Sequence, residues 1–184
     1  NKFSGDIAFK LYDTFGFPLD LTEDILKSKK ISVDIKSFNK NMEVQKKRAR
    51  LSWKGSGDFK TDELWFKLFD QHGKTDFIGY QTTNAESKIL EIIKNKNSLN
   101  QIVKGDEAII IVNQTPFYGE SGGQVGDTGI LSSDKNIFQV SDTQKIFNNF
   151  YLHYGKMSSG NLRKGDTIKM AVDVKKRESI TAYH

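Results

Sequence analysis

The chain has 184 residues, of which 36% are hydrophobic and 28% charged, with a formal net charge of +5 and no cysteine. That length holds one ample core or two small ones, and no apolar run approaches the ~18 residues of a membrane span. Lack of cysteine excludes disulfides and thiolate metal sites and fits a reducing compartment, while a charge this mild leaves any argument for a polyanionic partner to local clusters.

In chain order, the N-terminus NKFSGDIAFK has no initiator Met and none of the basic and apolar segments of a secretory signal; it reads as the start of an excised piece of a longer protein. Ser4 is placed to N-cap a helix with Ile7, Ala8, Leu11 and Tyr12 at helical spacing, Gly16 suits a left-handed C-cap, and Pro18 blocks continuation. Asp20 and Glu23 have capping-box spacing and open a second helix through Ile25 and Leu26. A third helix is predicted from about Asp34 to Leu51, with Ile35, Phe38, Met42 and Ala49 on one stripe and Lys46, Lys47, Arg48 and Arg50 on the far side. A fourth, Thr61 to Gln71, buries Leu64, Trp65, Leu68 and Phe69, and the stretch Lys54 to Asp58 before it is a hinge. From Phe77 the apolar residues alternate or form short β-branched blocks such as Ala108 to Val112. Lys104-Gly-Asp106 and Lys164-Gly-Asp166 read as turns launching strands, each with a valine six residues after its aspartate. Seven or so short strands without intervening helices predict a small closed barrel. The fold class expected is α+β: a helical segment over 1–76, then a small antiparallel β-barrel over 77–184.

The stretch Phe117 to Gly129, FYGESGGQVGDTG, packs five glycines around a serine, a carboxylate and a carboxamide. Gly-Glu-Ser-Gly-Gly is one methylene from the loop around the nucleophilic serine of trypsin-like proteases. However, His72, His153 and His184 stand in no context that marks a catalytic base, and a trypsin-like domain needs more chain. A Walker-type phosphate loop needs Lys and Ser/Thr after its last glycine, whereas Asp127 follows Gly126 and another strand is predicted beyond it. From the residues themselves two readings stay open. One is a glycine-rich corner of the barrel; the other is a loop lying close to a ligand backbone, its amides and the Gln124 carboxamide available for hydrogen bonds.

TPFYGESGGQVGDTG, Thr115 to Gly129, resembles a motif of the alanyl-tRNA synthetases and their freestanding editing relatives, where the Phe–Tyr pair and Glu-Ser-Gly-Gly-Gln recur. AFKLYDTFGFPLDLTEDI, Ala8 to Ile25, resembles the segment closing the tRNA-recognition helices of the full-length synthetases, which the freestanding editors lack. VSDTQKI (Val140 to Ile146) and GDTIKMAVDVKKR (Gly165 to Arg177) resemble the same family in the expected order. The likeness covers nearly the whole chain, and under it Ser121 is not a nucleophile. It implies that 1–76 is the end of the recognition helices and 77–184 a barrel similar to elongation-factor domain 2, leading into an editing domain. The parent enzyme would join alanine to tRNA(Ala) with ATP and Mg2+ and edit mischarged Ser- and Gly-tRNA(Ala). Its ATP- and alanine-binding motifs would lie upstream. The segment itself is then expected to hold no catalytic residue, to be inactive and monomeric in isolation, and to carry no bound cofactor, within a cytoplasmic enzyme that makes no membrane contact. The alternatives are a freestanding trans-editing hydrolase and a non-catalytic RNA-binding module.

Carried onto this sequence, the resemblance implies that Asp13 reads the G·U wobble pair of the tRNA acceptor stem. A wobble pair leaves the guanine 2-amino group exposed in RNA's wide, shallow minor groove, and a carboxylate can accept from it. From the residues alone, the simpler reading is that Asp13 turns or caps the helix end before Gly16. Lys46, Lys47, Arg48 and Arg50 are candidates for acceptor-stem phosphates, or a solvated helix face. Ser121, Gly122, Gly123 and Gln124 are candidates for shaping the site of the mischarged 3′ end without performing hydrolysis. His184 lines up with the first histidine of the His-x-x-x-His zinc motif that opens the family's editing domain; four-coordinate zinc needs the other ligands, so no metal is expected on this chain.

Overall fold

In the computed structural model, which describes residues 1–55, 57–121 and 124–182, local caps set the first elements much as the sequence predicts. After β1 (Lys2–Phe3), the Ser4 hydroxyl accepts from the Ile7 N–H at 3.4 Å and starts α1 (Gly5–Phe15). Gly16, at φ 66°, ends it, its N–H donating to the Tyr12 carbonyl (3.2 Å) and the Phe17 N–H to that of Leu11 (3.0 Å). The next helix, α2 (Leu19–Lys27), corrects one expectation: it begins directly behind Pro18 with no side-chain cap, so Asp20 falls inside the first turn and no Asp20–Glu23 capping box forms. β2 (Ser32–Val33) pairs in parallel with β1, and Asp34 caps α3 (Ile35–Ser52) by accepting from the Ser37 N–H at 3.3 Å. Ala8 and Phe38 are buried where α1 meets α3, and the Phe38 ring takes Phe9 and Tyr12 edge-on, each at 5.8 Å. Ile7, expected on the inner stripe, is exposed and Phe9 takes that place. The reason is Gly5, where a side chain would lie 2.2 Å from the Asp34 carbonyl. That contact turns the face of Gly5, Ala8, Phe9 and Tyr12 inward and Ile7 outward.

The chain divides into two compact units, Asn1–Lys54 and Gly55–His184. The second begins with α4 (Phe59–His72), two residues earlier than expected, because the Asp58 carboxylate accepts from the Lys60 N–H (3.1 Å) and the Thr61 hydroxyl (3.0 Å). Trp65, Leu68 and Phe69 are buried and Leu64 only half-buried. There follow β3 (Asp76–Phe77), β4 (Asn84–Lys94), β5 (Asn97–Leu99), β6 (Gln101–Val103), β7 (Glu107–Val112), β8 (Gln114–Thr115), β9 (Gly129–Ser133), β10 (Asn136–Ile146), β11 (Phe150–Ser159), β12 (Asn161–Arg163) and β13 (Thr167–Val172). Six of them, in the order β4–β7–β11–β10–β9–β13 and back to β4, pair antiparallel throughout and close a barrel. Its interior is filled by Ile89, Ile92, Ile110, Leu131, Phe138 and Met157, with Ile168 and Met170 of β13 alternating inward. The two Lys-Gly-Asp turns are one device used twice: Asp106 and Asp166 each accept from the backbone N–H three residues before, at 2.8 Å. The strands entering the two turns, β6 and β12, pair with each other. Beyond the barrel Asp173 caps α5 (Val174–Ala182), accepting from the Lys176 N–H at 3.1 Å. No helix among the described residues is long and apolar enough to cross a membrane.

Helix gives way to strand between His72 and Asp76, yet α4 groups with the barrel, and its contacts say why. Phe66 and Phe69 stack on Phe147 (5.3 and 4.8 Å), in the β10–β11 turn, and Phe69 meets Phe150 edge-on. At the helix end His72 Nε2 lies 2.8 Å from Glu91, a carboxylate only 2% exposed. Burial pushes the Glu91 pKa up, but hydrogen bonds from Ser98, His72 and Lys164 outweigh it and hold the carboxyl below its ordinary value. Phe147 takes a left-handed φ of 50°, unfavourable for a bulky residue, because its ring is captured between α4 and β11.

One buried polar group ties the barrel wall to the segment that follows β8. His153 on β11 is fully buried, its Nδ1 2.9 Å from the Ile110 carbonyl and its Nε2 2.9 Å from the Thr115 hydroxyl. A carbonyl can only accept, so the proton sits on Nδ1 and Nε2 accepts from Thr115, whose oxygen in turn accepts from the Phe117 N–H at 3.0 Å. Burial pushes the His153 pKa down to about 4.

Replacing Phe147 by Ala should destabilise the second unit by about 3 kcal/mol in urea unfolding, with faster amide exchange in α4. Phe147→Gly should lose about 1 kcal/mol less, because glycine carries no penalty at that φ. A loss under about 1 kcal/mol for Phe147→Ala would show that the ring stack does not anchor α4. For His153, the folded pKa lies below the unfolded one. Its contribution is therefore whole above pH ~6.5 and lost as pH falls towards 4, reaching about 3 kcal/mol. His153→Gln should flatten that part of the stability–pH curve. An unchanged slope between pH 6.5 and 4 would assign the acid sensitivity to other groups.

Candidate functional site

The glycine-rich loop is held between β10 and α5, and its junction is Asp127, 8% exposed. The Asp127 carboxylate accepts from the Tyr118 N–H at 2.7 Å, its backbone N–H donates to the Tyr118 carbonyl at 2.9 Å, and its carbonyl accepts from the Thr143 hydroxyl at 2.9 Å. Arg177 of α5 lies across the same carboxylate. Its Nε is 3.1 and 3.0 Å from the two oxygens, and a terminal nitrogen bonds both Asp127 and the Pro116 carbonyl. Next to this junction the Gly126 N–H donates to Asp142 at 2.7 Å, and a side chain at Gly126 would lie 2.0 Å from the Thr143 carbonyl, so only glycine fits. Gln144 donates to Asp142 (2.8 Å) and to the Gln124 carbonyl (3.0 Å). Glu120 extends the sheet by a parallel bridge to β10, its N–H reaching the Thr143 carbonyl at 3.1 Å. The segments 115–129, 140–146 and 165–177, separate in sequence, thus meet at one place.

Beside the loop is a cavity of about 470 Å³ lined by Phe77, Tyr80, Tyr118, Glu120, Gln124 and Arg177 among others. Phe77 lies parallel to the buried Tyr151 ring at 5.6 Å and takes Tyr80 (5.0 Å) and Tyr118 (6.1 Å) nearly perpendicular to itself. Burial, with Tyr80 and Tyr118 adding to it, pushes the Tyr151 pKa up to about 12, so the phenol keeps its proton. Ser121 and Gln124 are exposed on the loop, while Gly122 and Gly123 lie outside the described residues. Both described histidines are engaged elsewhere, His72 on Glu91 and His153 inside the barrel, and neither serves Ser121 as a base. A wider groove of about 970 Å³ elsewhere on the barrel is bordered by lysines, but Lys94 pairs with Asp106 and Lys156 stands opposite Glu107 in the ladder. Its charge is balanced.

In the first unit, Asp13 is exposed on the last turn of α1, and the Gln45 carboxamide of α3 donates to its carboxylate. The helix end itself is closed by backbone bonds at Gly16 and Phe17, so Asp13 is not needed as its cap. The basic residues do not form the single far-side cluster expected. Lys46, Lys47 and Arg50 border a hollow of about 380 Å³ with Glu43 and Val44. Arg48 lies elsewhere on the helix, three residues on from Gln45 and so on the side that carries the Asp13 contact. Lys46 and Arg50 are half-buried, Lys47 and Arg48 exposed.

Among the described residues no group of three or more metal-ligating side chains is placed to hold an ion. His184 lies outside them, His72 Nε2 is engaged by Glu91 and both His153 nitrogens are bonded inside the barrel, so the described donor set does not fit zinc. Sequence spacing gives no structural role to Asp127, Asp142, Gln144 and Arg177, although all lie in the segments that resemble the family. Gln45 and Tyr80 carried no sequence signal at all.

Residues 1–176 match the model of the family described as tRNA synthetases class II (A). The alanine–tRNA ligases of Rickettsia felis and Rickettsia akari are each 49% identical to this chain over 185 aligned positions, and that of Rickettsia massiliae 48%. Each alignment takes in 100% of this chain and 21% of the relative, so the chain spans about a fifth of their length. With a family match over nearly all its residues and almost half of them identical to these ligases, the chain belongs to the class II (A) tRNA synthetases.

Proposed function

We propose that this chain is the part of an alanine–tRNA ligase in which residues 1–76 end the tRNA-recognition helices and residues 77–184 form the barrel leading into an editing domain. The complete enzyme joins alanine to tRNA(Ala) with ATP and Mg2+ and clears Ser- and Gly-tRNA(Ala). It does so in the cytoplasm, and the segment alone is monomeric. Identity of 49% along the whole chain to ligases of that name supports the assignment. The role of the first unit in acceptor-stem recognition is supported by one observation above all: an exposed carboxylate, Asp13, held by Gln45 on the same side of α3 as Arg48. Asp13 accepts from the 2-amino group of the wobble guanine, and Arg48 meets a nearby phosphate; Lys46, Lys47 and Arg50 give phosphate contacts without sequence preference. Ser121, Gly122, Gly123 and Gln124 shape the approach of the mischarged 3′ end. Zinc, with His184 as a first ligand, belongs to groups beyond the described residues.

The test is charging of acceptor minihelices carrying G·U or G·C by the complete ligase. Asp13→Asn keeps the shape but replaces a charge-assisted acceptor by a neutral amide. It should cost on the order of 1–3 kcal/mol, about ten- to a hundredfold in kcat/KM, on the G·U substrate only. Arg48→Ala should lower both substrates alike and flatten the salt dependence. An unchanged G·U to G·C ratio in Asp13→Asn, or parallel losses that track a lowered Tm, would make Asp13 a structural residue.

A further inference from the structure

We propose that the cavity beside the glycine-rich loop is a nucleobase site: Tyr80 and Tyr118 hold the plane of one unpaired base at an RNA end, and the Glu120 carboxylate accepts from its exocyclic amine. This rests on the reading of the loop as serving the tRNA 3′ end and gives that site its ligand. Tyr80 is 88% exposed, far more than a ring of that size needs to be, yet it is held in place. The turn carrying it is closed by the Gln81 and Thr82 N–H groups, both donating to the Ile78 carbonyl (3.1 and 3.2 Å), and its ring is braced against Phe77, itself flat on Tyr151. Tyr118, 43% exposed on the same cavity, has its N–H and carbonyl both taken by Asp127. These are two presented aromatic rings on a fixed frame, the arrangement that single-stranded RNA uses for stacking.

The charges select the kind of group. Arg177, the cation at the cavity wall, is committed to Asp127 and the Pro116 carbonyl, so a phosphate finds no ready partner there. The other carboxylate on the wall, Glu120, is fixed through its backbone to β10 and offers acceptors only. Flat rings beside a carboxylate favour a planar uncharged ligand with an N–H2 donor, which adenine, cytosine and guanine carry and uracil lacks. At about 470 Å³ the space takes one nucleoside and is too small for a duplex.

Fluorescence anisotropy of labelled hairpin RNAs tests this, comparing a blunt hairpin with hairpins bearing an unpaired 3′ extension that ends in A, C or U. Wild type should prefer the A- and C-ended extensions. Tyr80→Ala should weaken them by about tenfold and leave the blunt hairpin within about twofold, while Tyr80→Phe retains most of the affinity. Glu120→Gln should erase the preference of A and C over U. Melting curves guard against misfolding, which an exposed position such as Tyr80 gives little reason to expect. An undiminished preference in Tyr80→Ala, or equal losses on blunt and extended hairpins, overturns the proposal. If that preference instead disappears in Gly126→Ala, which cannot keep the loop against Thr143, the loop still serves the RNA end and only the stacking assignment fails. A wild-type protein indifferent to the extension removes both.

Discussion

A carboxylate withdrawn from water must be paired or it costs several kcal/mol, and Asp127 is paired on every side. Its oxygens are saturated by Arg177 and the Tyr118 amide, while its own backbone groups bind Tyr118 and Thr143. Because one residue satisfies partners from the loop, from β10 and from α5, none of the three can move without leaving a buried charge uncompensated. Gly126 follows from this. Drawn against β10, its position almost touches the Thr143 carbonyl and has no room for a side chain.

The barrel supplies the frame that makes such compression possible. Closure of six antiparallel strands leaves no edge in the ring, and the long β10–β11 hairpin extends from it to carry the loop partners on one side and the Phe147 turn on the other. His153 adds a polar stitch from β11 through Thr115 to Phe117, so the loop is anchored at its entry as well as at Asp127. A neutral, doubly bonded imidazole suits that place, since it satisfies a buried carbonyl and a hydroxyl without a charge. Glu91 does comparable work for α4, holding His72, Ser98 and Lys164 around one carboxylate. Rigid elements positioned in this way fix the course of the loop.

Two aspartates show how environment divides one chemistry. Asp127 is enclosed between the loop and α5, whereas Asp13 is exposed on the last turn of α1, where the Gln45 carboxamide donates to it. The first organises a loop; the second stays exposed.

Much of this was legible in the sequence wherever the physics is local. The Ser4 cap, the Gly16 terminus, the switch from helical to alternating pattern near Phe77 and the two Lys-Gly-Asp turns all involve groups within a few residues of each other, so composition and spacing determine them. Tertiary structure alone decided which faces turn inward: Gly5 against Asp34 put Ile7 in solvent, and Pro18 began α2 before Asp20 could cap it. It also split the basic residues of α3, assigned α4 to the barrel through Phe147 and Glu91, and brought Arg177 to Asp127 across fifty residues of chain. Such partners are chosen by how the strands close and what each buried charge can reach. Neither is written in the spacing of neighbours, because the pairing exists only once the sheet has returned on itself.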